Sequence, residues 1–167
     1  TDTIGYALVQ AEVDDKVQTG FIIVQDTSSD ETINTVDIEV STDFGTQTVA
    51  TFEEGQKWSI SGLTDPFSIY NGALIYFPIG SLDEDITIRI AIPDFVNTSI
   101  VDDSVEISFS QDNLVAAIEF DVYVNGSLQD SYNFNIPLVF GMVYKKSLVT
   151  QSGLDPQSLR LSYANQQ

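Results

Sequence analysis

Ile86-Thr87-Ile88-Arg89-Ile90-Ala91-Ile92 decides the fold. Its isoleucines recur every second residue, so an extended chain puts all of them on one face and Thr87, Arg89 and Ala91 on the other. β-branched residues at period two make a strand with one buried side. Pro93, which has no N–H to give to a ladder, ends the strand. The acidic turn Leu82-Asp83-Glu84-Asp85 precedes it.

The same alternation recurs in both directions. Downstream, Asp94 to Asp103 is a loop and Val105 to Phe109 a strand. Leu114 to Val124 is a longer strand, with Ile118, Phe120, Val122 and Val124 inward and Glu119, Asp121 and Tyr123 outward. Asn125-Gly126 is a two-residue hairpin signal. The return run, Leu128 to Tyr144, puts Tyr132, Phe134, Ile136, Leu138, Phe140 and Met142 on one side. Pro137 falls on the other side and predicts an edge or a bulge. Upstream, Val36-Asp37-Ile38-Glu39-Val40 predicts one buried and one acidic, wet face. Thr46 to Phe52 and Lys57 to Ser61 follow, the latter with Trp58 and Ile60 on a shared face, and then the apolar run Ile69 to Pro78, broken at Asn71-Gly72. Ile4 to Val13 and Val17 to Gln25 form a hairpin about Asp14-Asp15-Lys16. Both faces of Ile4 to Val13 are apolar, which predicts a strand sandwiched inside the fold. Short strands with turns at regular spacing, and no sustained helical period, predict an all-β chain. The expected architecture is a single-domain antiparallel β-sandwich or jelly roll over 1–144, followed by a tail over 145–167.

Composition narrows the function classes. The 167 residues are 43% hydrophobic, enough for a real core. Cysteine and histidine are absent, which removes disulfides, thiolates, the commonest general base and the usual transition-metal ligand. The expectation is therefore no catalytic residue and no enzyme. Paired acids also equip a glycosidase, but spacing in sequence does not place two of them at a working separation. A formal charge of −19 repels nucleic acid and anionic membranes. It fits either the solvated surface of a halophilic or secreted protein or a sink for divalent cations. Ala73-Leu74-Ile75-Tyr76-Phe77, the longest clean apolar run, is too short to span a bilayer, so no membrane insertion is expected. A secreted chain has already lost its signal peptide. Two N-glycosylation acceptors, at Asn97 and Asn125, point to an extracellular or cell-surface address.

The tail differs from the body. It carries Lys145, Lys146 and Arg160 against Asp155, whereas every other acid shares the body with Lys16, Lys57 and Arg89. Segment 158–164, Ser-Leu-Arg-Leu-Ser-Tyr-Ala, alternates at period two. As a strand it aligns Leu159, Leu161 and Tyr163 on one face, with Arg160 between them. Burying those three side chains is worth about 6 kcal/mol at roughly 2 kcal/mol each. Gln151-Ser152-Gly153 is a joint that gives the segment reach. Such a strand either closes its own sheet or covers the edge of a neighbour's, and the second contact runs on head to tail.

The opening Asp2-Thr3-Ile4-Gly5-Tyr6-Ala7-Leu8-Val9, the strand Ala117 to Val124, the closing Asn135-Ile136-Pro137-Leu138-Val139-Phe140 and the acidic turn near Asp83 resemble the β domain of the CanA-like cannula subunits. Those secreted proteins of hyperthermophilic archaea build extracellular tubules. The resemblance covers most of residues 2–144. It implies a jelly-roll subunit that polymerises by donor-strand complementation, with calcium at subunit contacts. In that family the donor segment precedes the first strand, whereas this chain starts at that strand and carries its extra length at the other end. The expectation is a donor at the C-terminus, Leu159, Arg160, Leu161 and Tyr163, acting on another copy of the same chain.

Calcium needs about six to eight oxygens. The acid pairs in turns are the natural sources: Asp14-Asp15, Glu53-Glu54, Asp83-Glu84-Asp85 and Asp102-Asp103. Each is equally a solvated turn when taken alone, and none forms an EF-hand loop. Two functions are carried forward. One is a structural subunit that self-assembles into a tube, filament or fibril through its terminal strand and calcium. The other is a calcium-stabilised binding module for a glycan or surface protein.

Overall fold

The isoleucine strand is the middle of the largest sheet. A computed structural model describes residues 4–14, 16–25, 32–42, 45–94, 96–101, 104–109, 115–151, 153, 155 and 159. Among these, strands dominate and helix is confined to two short pieces. The chain is all-β. Its strands are β1 (Ile4–Val13), β2 (Lys16–Gln25), β3 (Thr35–Thr42), β4 (Gly45–Glu53), β5 (Lys57–Ser59), β6 (Leu74–Tyr76) and β7 (Ile86–Ala91). They continue as β8 (Val96–Val101), β9 (Ser104–Phe109), β10 (Glu119–Val124), β11 (Ser127–Leu128), β12 (Val139–Gly141) and β13 (Tyr144–Lys145). A 3-10 turn covers Phe67–Tyr70 and α1 covers Lys146–Gln151.

β7 buries Ile86, Ile88 and Ile90 while Thr87, Arg89 and Ala91 stay half-buried on the other face. Its sheet runs β11-β10-β7-β3-β4. β3 lies parallel to β7, with Ile38 opposite Ile88. The largest sheet is therefore mixed, where a wholly antiparallel one was expected. Connectivity is the reason: parallel neighbours need a crossover, and here segment 43–85, with β4, β5, the 3-10 turn and β6, supplies it. Val36, Ile38 and Val40 of β3 join the β7 isoleucines in the core, with Phe120, Val122 and Val124 of β10 packed against them. Ile75 of β6, with Trp58 of β5 and Phe140 of β12 packed alongside, brings the β12-β6-β5 sheet to the same core. Trp58 stacks on Phe52 at 5.8 Å between ring centroids, a core role. Between β3 and β4 the register shifts by one residue, which lets both Val49 and Ala50 pack inward.

Asn125-Gly126 closes the β10–β11 hairpin as expected, with φ of 49° and 77°. Both are positive, as a two-residue turn matched to the strand twist requires. The return run is not one strand. Tyr132, Phe134, Leu138, Phe140 and Met142 do pack on the core, and Ser131, Asn133, Asn135 and Pro137 are exposed. The backbone between β11 and β12 makes other bonds instead: the Asn135 N–H donates to Ser81 O at 2.9 Å. The expected loop after Asp94 contains β8, paired with β9. Its polar Asn97-Thr98-Ser99 centre conceals a strand that starts at buried Val96.

β1 and β2 form the expected hairpin, Val13 opposite Lys16. The expectation that β1 is sandwiched fails, because Ala7 and Val9 of β1 and Ile22 and Val24 of β2 are exposed. β13 pairs with β2 and spans the junction at 144/145 where the body was expected to end. α1 then buries Val149 completely. Six residues are too few for a helical period to show in sequence. Gly153, at φ 68°, follows it, and its N–H donates to Thr150 O at 3.1 Å. Apart from the half-buried Leu159, the donor-strand segment 158–164, with Arg160, Leu161 and Tyr163, lies outside the described residues.

Candidate functional site

The acidic turns were the expected ligands, and the structure gives them different tasks. Glu54 is 2% exposed. Its Oε1 accepts from the Leu82 N–H at 2.8 Å and the Ser81 hydroxyl at 3.0 Å. Its Oε2 accepts from the Asn34 N–H at 3.0 Å and the Asn34 side-chain amide at 3.3 Å. The Glu54 N–H donates back to Asn34 O at 3.0 Å, and Asn34 Nδ2 reaches Leu82 O at 2.8 Å. A buried carboxylate is tolerable when donors surround it. Glu54 thus ties the approach to β3, the end of β4 and the approach to β7 together. With both oxygens engaged it is an anchor for the fold. Glu53, one residue earlier, is exposed beside Gln56.

Asp83, Glu84 and Asp85 are exposed on the turn that Glu54 holds. Asp85 accepts from the Thr35 N–H at 2.7 Å, which keeps its carboxyl below the usual carboxylate range. Asp83 accepts from Asn135 Nδ2 at 2.8 Å, and Glu84 from Asn125 Nδ2 at 3.5 Å. Three separate segments therefore bring neutral N–H donors to one acidic turn. The Tyr132 hydroxyl close by is pushed up, first by burial and then by the charges of Asp83 and Glu84.

Asp14 is exposed at the tip of the β1–β2 hairpin, at φ 53°. Asp15, Asp102 and Asp103 lie outside the described residues. Among the described residues, no three acidic side chains gather as a metal-binding group. Asn97 and Asn125, the glycosylation candidates, are both exposed, one along β8 and one at a hairpin tip.

A second charged surface, not singled out from sequence, lies on the outer face of the large sheet. Register places Asp121, Arg89 and Glu39 side by side across three strands. Arg89 donates to the Tyr123 hydroxyl at 2.6 Å and to Glu39 Oε2 at 3.2 Å, and its guanidinium sits 4.2 Å from the Tyr123 ring centre. Glu119 on the same face is raised above its ordinary value by burial, then by Asp121 and Asp94. The signal was in the sequence: Arg89, Asp37, Glu39, Glu119 and Asp121 all occupy outward positions of alternating strands. Across the ends of the hairpin, Lys146 pairs with Glu12 at 2.6 Å.

No family model, curated protein or solved structure matches the chain.

Proposed function

We propose that this chain is a secreted structural subunit with a β-sandwich or jelly-roll body. Copies assemble head to tail into an extracellular tube or filament, each lending a C-terminal strand to the next, with calcium joining acidic turns. The observation that carries the proposal is charge. Six lysines and arginines cannot neutralise 25 acids. Asp83, Glu84 and Asp85 are exposed and fixed by neutral amides. Bringing such bodies together raises their self-repulsion. A divalent cation that takes carboxylate and carbonyl oxygens removes it, and so does a basic segment such as the one around Arg160.

The turn at 83–85 is the first place to look for calcium, because its carboxylates are held in position and still face solvent. The test is removal of residues 152–167, a cut that keeps α1 and its buried Val149. The full chain should sediment as polymer when calcium is added. The shortened chain should keep its β-sheet circular dichroism and stay monomeric. A shortened chain that polymerises rejects strand donation. A full chain that binds calcium, gains melting temperature and stays monomeric favours a binding module instead.

A further inference from the structure

The β1–β2 hairpin presents an apolar face to solvent. Its register pairs Gly5 with Val24, Ala7 with Ile22 and Val9 with Gly20, so these residues share one face. Val9 is 51% exposed, Ile22 62% and Val24 69%. Glu12 is the one acid within the two strands; it belongs to the opposite face, opposite Val17, and pairs with Lys146 at 2.6 Å. On a chain of charge −19, the described residues of the two strands therefore place no acid on the open face.

We infer that this face seats the same face of a second copy. Two polyanions approach most easily where neither presents an acid. A cationic partner would be drawn to the exposed acids, Asp14 at the tip of the hairpin and Asp83, Glu84 and Asp85 on their turn, rather than to the apolar face between the strands. Gly5, Ala7 and Gly20 keep the face flat between the branched side chains, and two such faces pack at the ordinary spacing of about 10 Å between sheets. Strands of this length span about 33 Å, and a pair is about 10 Å wide, so each copy offers about 300 Å². That is well below the roughly 800 Å² per partner of a standard interface. The dimer is therefore weak and forms at high protein concentration. Salt screens the repulsion between copies and strengthens apolar contact, so the dimer tightens as salt rises. The contact uses neither calcium nor the residues after 151, and so stands apart from the strand donation proposed above.

The experiment is sedimentation equilibrium of the full chain in chelator, over a range of protein concentrations, at about 0.1 M and 1 M sodium chloride. Wild type should pass from monomer to dimer with concentration, with an affinity several-fold tighter at the higher salt. The double variant Ile22→Thr, Val24→Thr keeps β-branching and strand propensity. It should dimerise at least about tenfold more weakly, since roughly 1.4 kcal/mol is a factor of ten, with an unchanged melting curve. If the double variant melts early, the single variant Val9→Thr is read in its place, with the same expectation. Wild type that stays monomeric throughout means the face is capped within its own chain or serves another protein, and overturns the inference. So do variants that dimerise like wild type, and a dimer that weakens as salt rises.

Discussion

The large sheet and the β1–β2 hairpin are made from the same kinds of residue and end in opposite states. In β7 and β3, isoleucine and valine alternate with Thr87, Arg89, Asp37 and Glu39, and the apolar face is buried completely or nearly so. In β1 both faces are apolar, and the face with Val9 lies open. A charged residue on every second position fixes which side of a strand faces the core, because a slip of one residue would bury it. A strand that is apolar on both sides carries no such instruction. Burial there depends on what else the molecule, or its neighbour, brings to the face.

The sharpest way to break this comparison is at Ile38, fully buried opposite Ile88. Ile38→Ala should cost about 2–5 kcal/mol in chemical denaturation. Ile22→Ala, the same change on the hairpin's open face, should stay within about 0.5 kcal/mol. Equal losses at the two positions would mean that the hairpin face is buried in solution. Next is Glu54→Gln, which turns an NH₂ group toward two of the four donors now bound by the carboxylate. The expected loss is about 1–3 kcal/mol, read from the urea midpoint. Gly126→Ala meets nothing within 4 Å, so its cost is the backbone's alone at φ 77°. That is about 1–2 kcal/mol, in a hairpin whose turn chemistry was plain in the sequence.

The smallest effect concerns the outer face of the sheet. Burial, with Asp121 and Asp94, raises Glu119, so folding favours its protonated form. Its charge therefore lowers stability at neutral pH, and acid restores that stability as pH falls through the raised value. Glu119→Gln should melt slightly later than wild type at pH 7, and the advantage should vanish on acidification. Asp85 has the opposite sign. Its lowered value means that the stability from the Thr35 hydrogen bond is present above the ordinary carboxylate range and lost as pH drops below it.

What was legible in the sequence was local. β7, the inward residues of β10 and the Asn125-Gly126 turn follow from period two and from positive φ. The parallel pairing of β3 with β7 was not legible, because a long crossover separates the two strands and nothing in either announces its neighbour. β8 was masked by a polar triplet, and α1 by its brevity. The Glu54 anchor looked like any acidic turn, yet parity had marked it: counting by two from buried Phe52 puts Glu54 on the inner face and Glu53 outside. The open face of the hairpin was the costliest misreading, since two apolar faces suggest burial only if both are met by something.

Negative-stain electron microscopy of the purified full chain, in calcium and then in chelator, tests the central claim most directly. The proposal predicts regular tubes or filaments in calcium that come apart when the metal is removed. Dispersed single particles under both conditions, at concentrations where the chain is folded, would contradict it.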